Sequence, residues 1–95
     1  MDTKEAYQEQ AEAQLKELEA RIEVVEAQAE KAKAEAKVRY SQQIEELSRK
    51  RKEAEEQLEQ LKAASSEAWR ELTTGVNEAM TALENAVTNA VARFD

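Results

Sequence analysis

Few kinds of reactive side chain are present in this sequence. Among 95 residues there are 21 Asp or Glu and 14 Lys or Arg, with no His and no Cys. Without imidazole or thiolate, a His general base, a Cys nucleophile and a His/Cys metal site are excluded. Carboxylates are plentiful, but on a solvated helix they lack the desolvation that turns a pair into an acid and a base. Ser65 and Ser66 have no neighbouring base to activate a hydroxyl. Arg49-Lys50-Arg51-Lys52 is the one basic run, with the chemistry to hold a phosphate. It is neutralised by Glu45, Glu46, Glu53, Glu55, Glu56 and Glu59. Trp69 and Tyr40 could stack against a ligand, yet both sit at helical spacing in an apolar stripe and read as core. The expectation is no enzyme, no cofactor and no metal. The net charge of −7 opposes nucleic acid as a partner.

The elements that position these residues follow from composition. Apolar residues make up 41%, but 18 of them are alanine; there is no proline and one glycine, Gly75. Strong helix formers dominate, and turn residues are too scarce for hairpins of strands. The fold class expected is all-α, a long amphipathic helix forming a coiled coil, as one domain over 1–95. Its segment 1–62 carries 28 charges and its segment 63–95 carries 7. Asp2 with Glu5 resembles a capping box and marks a helix start. Glu12–Lys16, Glu17–Arg21, Glu35–Arg39, Glu45–Arg49 and Glu46–Lys50 are spaced for i,i+4 support. The opening residues show no signal-peptide core, and the longest uncharged run is eight residues, 85–92, too short to span a membrane. A cytoplasmic location is expected.

One stripe runs the length of the chain: Leu15, Leu18, Ile22, Val25, Ala29, Ala32, Ala36, Tyr40, Ile44, Leu47, Arg51, Ala54, Leu58, Leu61, Ser65, Trp69, Leu72, Val76, Met80, Leu83, Val87, Val91 and Phe94. Its steps of three and four describe a heptad seam, with stutters at Ala36–Tyr40–Ile44 and Leu61–Ser65–Trp69. Ser65-Ser66 and Thr73-Thr74-Gly75 are the candidate breaks, but the rhythm passes through both, which favours one helix flexed near Gly75. A rod of that kind must pair to bury its stripe. Matching large side chains to small ones favours an antiparallel homodimer centred near Ala54, with Tyr40 opposite Trp69 and with Ala29, Ala32 and Ala36 opposite Met80, Val76 and Leu72. A helical hairpin or bundle is the runner-up. A further protein partner is open, and so is a membrane surface, though it is not favoured because the polar face of 68–94 is Thr, Asn and Glu.

The order of motifs carries a resemblance. It runs LxELxAxI at Leu15–Ile22, AEAKxxY at Ala34–Tyr40, LKAASSEAW at Leu61–Trp69 and ELxxGVxxAxxxLxxAVxxAxxRF at Glu71–Phe94. Over most of its length the chain resembles a family of short coiled-coil proteins from cyanobacteria and other bacteria, grouped as stress-response proteins. That resemblance implies a small non-enzymatic protein with a part in stress response, and it brings no catalytic residues with it. The function expected is that of a structural or interaction protein. The alternative is an amphipathic-helix module for membrane surfaces or unfolded clients.

Overall fold

The computed structural model describes residues 2–94, with the backbone alone at Phe94. It has three helices and no strand among the described residues: α1 (Thr3–Glu30), α2 (Ala34–Ala63) and α3 (Trp69–Phe94). They fold up, down and up into one bundle with every pair of helices in contact, 51 Å in its longest dimension. The all-α class expected from the sequence is what forms. Of the two architectures weighed, the hairpin or bundle fits.

The helix ends have local causes. At the start of α1, the Asp2 carboxylate accepts from the Lys4 N–H at 3.2 Å, the cap that its spacing to the first turn predicts. α1 ends by tightening: the N–H groups of Lys31 and Ala32 reach Gln28 and Ala29, three residues back, at 3.2 Å each. Lys33, with φ −69° and ψ 156°, is extended and turns the chain into α2. The second connection is built around Ser65. Its hydroxyl accepts from the Ala68 N–H at 3.1 Å, while its carbonyl accepts from Ala68 and Trp69 at 3.2 Å. The fall in charge near residue 62 thus coincides with the end of α2.

The stripe is the core of a single chain. Leu15, Leu18, Ile22 and Val25 of α1 are buried with Tyr40, Leu47, Ala54, Leu58 and Leu61 of α2. Trp69, Val76, Met80, Leu83 and Val87 of α3 complete the core, to which Ala11 and Ala90 add. Ala29, Ala32, Ala36, Ile44, Leu72 and Val91 pack half-buried against it.

Four expectations are corrected. The continuous helix is interrupted at 31–33 and at 64–68. The first interruption falls among Ala29, Ala32 and Ala36, where each layer buries the least apolar area and turning sacrifices the least. Ser65 is exposed and caps a turn, so it does not lie in the seam. α3 continues as helix through Gly75, so no break falls there. Within the chain the stripe does not pair about Ala54, because the turns fall at 31–33 and 64–68 and Ala54 lies in mid-α2. Tyr40 and Trp69 therefore lie toward opposite ends: Trp69 packs on Tyr7, and Tyr40 lies beside Ala29 and Ile44. The Phe94 side chain, expected in the seam, lies outside the described residues.

Candidate interaction surface

Two ends of the bundle differ in how they are built. At one end meet the start of α1, the end of α2 and the start of α3. Lys4 reaches across and donates its ammonium to the carbonyls of Lys62 at 3.1 Å and Ala64 at 2.6 Å, capping the last turn of α2. Cationic donors suit that position, because unpaired carbonyls and the helix dipole both attract positive charge. Tyr7 stands 5.9 Å from the Trp69 ring, and the Arg70 guanidinium covers Trp69 at 5.6 Å. The Tyr7 hydroxyl has one proton to donate, with the Asn77 Oδ1 at 2.5 Å and the Thr73 carbonyl at 3.2 Å as acceptors. Burial pushes the acidity of that hydroxyl to a higher pKa than usual.

Glu12 and Lys62 pair directly between α1 and α2, and Glu59 joins them at 3.5 Å. The hydrogen bond from Lys62 holds the Glu12 carboxyl below the ordinary carboxylate range, and the same bond raises Lys62. Tyr7, Glu12 and Lys62, the groups with displaced acidity among the described residues, therefore serve to join helices.

The other end, where α1 turns into α2, is loosely filled. An open groove of about 730 Å³ runs between them, floored by Ala29, Tyr40 and Ile44 and edged by Glu26, Glu30, Glu45 and Lys37. Alanine layers cause it: side chains of that size leave the space between two helix backbones unoccupied. Lys33, the cap residue of α2, makes no side-chain capping bond.

Most seam residues singled out in the sequence come together here as an internal core, not as an exposed interface. Arg51, at a seam position, is half-buried and turns outward to Glu55 at 3.7 Å. Arg49 and Lys52 of the basic run are exposed, as is Val24 on the outer side of α1. Lys4, Tyr7 and Ala11 were not recognised as packing residues. The signal for two of them was present, since Tyr7 and Ala11 continue the stripe upstream of Leu15 in steps of four. Among the described residues no group of three or more acidic side chains is placed to hold a metal ion. No helix among them is long and apolar enough to cross a membrane. Compared with known proteins, the chain matches no family model, no curated protein and no solved structure.

Proposed function

We propose that the chain is a non-enzymatic structural or interaction protein that works in the cytoplasm as a homo-oligomer. The observation that carries this reading is the use made of its distinctive side chains. Tyr7, Glu12, Lys62 and Trp69 are all engaged in holding three helices together, which leaves charged helix faces and the open α1–α2 groove for contact with others. A part in bacterial stress response rests on the motif resemblance, from LxELxAxI to the RF tail. Light scattering over a wide concentration range tests the self-association; a monomer throughout would remove it. Loss of the gene should impair survival under oxidative, osmotic or heat stress while leaving unstressed growth normal, and indifference to all three would remove the stress assignment.

A second reading has one observation in its favour. α3 is the most amphipathic of the helices, and its apolar face (Val76, Met80, Leu83, Val87) would suit a lipid surface or an unfolded client if α3 were released from the bundle. Flotation with anionic vesicles separates the two: uptake accompanied by loss of Trp69 burial favours this reading, and self-association without uptake favours the first.

A further inference from the structure

The two connections of the bundle are unequal. The one at 64–68 is locked by side chains: Ser65 caps the turn, and Lys4 seals the last carbonyls of α2. The one at 31–33 is held by backbone alone. Its residues, Lys31-Ala32-Lys33, contain no Gly, Pro, Asn or Ser, and alanines recur on both sides from Ala27 to Ala36. Lys31 keeps near-helical dihedrals, φ −86° and ψ −7°. Lys33 is an uncapped helix start bearing a positive charge, the sign the helix dipole disfavours there. Local sequence preference and the bend are in conflict at this point, and at no other connection. The packing beside it is open, with Ala29, Ala32 and Ala36 half-buried and a groove lined by Ala29 next to them.

We infer that the 31–33 connection is a hinge through which two copies exchange α1. Straightened, α1 and α2 become one helix over 3–63, recovering the intrahelical bonds lost at the bend. Each chain's α1 then packs on α2 and α3 of its partner, with the same core contacts as in the monomer. Two such helices run antiparallel and, with Glu12 of one against Lys62 of the other, cross near residue 37. Ala36 of both copies lies beside that crossing, where a small side chain allows close approach. The occupant of the α1 site is thus a second copy's α1, and the product is two bundles end to end. This rests on the reading of the chain as a self-associating protein and gives that association its mechanism.

The experiment uses the full-length chain. Glu12→Cys and Lys62→Cys are prepared as separate variants, unfolded together, refolded at high concentration and treated with a short bismaleimide. Residues 12 and 62 touch within one monomer, so single variants can link through this contact only if the helix has been exchanged. The expected product is a covalent dimer of one chain of each kind, with a long dimension about twice the 51 Å of the monomer. Ala34→Pro, introduced into both variants, should abolish it. Residue 34 is the first position of α2, which accepts proline, and the extended Lys33 suits a residue preceding one. In the continuous helix the same proline is interior, so the dimer dissociation constant should rise by roughly a hundredfold for each of the two helices. Should that variant fold poorly, Ala32→Gly weakens the dimer by about fivefold per helix while leaving the bend intact. Linking undiminished by both substitutions overturns the hinge. So does a dimer by light scattering that never links 12 to 62 between chains, although self-association then stands. A monomer at every concentration overturns both.

Discussion

Lys62 shows how a surface residue acquires a structural part. Its ammonium lies between Glu12 and Glu59, about a third exposed, while its carbonyl accepts from Lys4. Because the folded Glu12 pKa is depressed, the pair's stabilisation is present above the unfolded carboxylate pKa and is lost as pH falls through the folded value. Because the folded Lys62 pKa is raised, the same stabilisation is present below the unfolded amine pKa and is lost as pH rises through the folded value. Exposed pairs are worth only ~0.2–1 kcal/mol. Glu12→Gln should therefore lower stability slightly at neutral pH and flatten the acid limb of a urea-midpoint profile; a limb of unchanged steepness would show the pair to be inert. Lys33 offers a larger gain. Lys33→Asp supplies the missing cap and the favoured charge together, and should stabilise the monomer by about 1 kcal/mol, read from the urea midpoint.

At the scale of elements, the stripe was legible because its period is a property of residue types: Leu15 to Val25, Leu47 to Leu61 and Val76 to Val87 are buried as their spacing requires. Where the rod bends was not legible. Ser65-Ser66 was one candidate break, but a Ser that caps a turn also fits a seam position, and only its hydrogen bond to Ala68 decides which. Nothing in Lys31-Ala32-Lys33 announces the other, because that bend is imposed by packing between distant segments and opposed by local preference. Gly75 misled in the other direction. It suggested a flex but lies inside α3, where a Cβ would meet the Gln57 Oε1 at 2.6 Å. That oxygen ends a flexible side chain that can swing aside, so Gly75→Ala should recover most of the helix-propensity difference and stabilise by about 0.5–1 kcal/mol. A thermal melt checks it, and a lower midpoint would mean that Gln57 is held in place.

For the whole molecule the question is whether the unequal ends unfold together. The core is continuous: Leu15, Leu61 and Leu83 belong to three different helices and one buried cluster. A chain of this length has a total stability of about 5–14 kcal/mol, at ~0.05–0.15 kcal/mol per residue. Truncating one buried leucine costs about 2–5 kcal/mol, a large share of that total. Leu83 and Trp69 stand 14 residues apart on α3, about 21 Å at 1.5 Å per residue. If the bundle unfolds as one unit, Leu83→Ala should lower the midpoint seen by Trp69 fluorescence and the midpoint seen by helical circular dichroism by the same amount. If the loosely packed hinge end melts by itself, dichroism will fall first while Trp69, clasped by Tyr7 and Arg70, stays buried. Coincident midpoints would then mean that α1 is exchanged only through unfolding of the whole bundle. Separated ones would mean that the α1–α2 turn frays on its own, at a free energy below that of global unfolding.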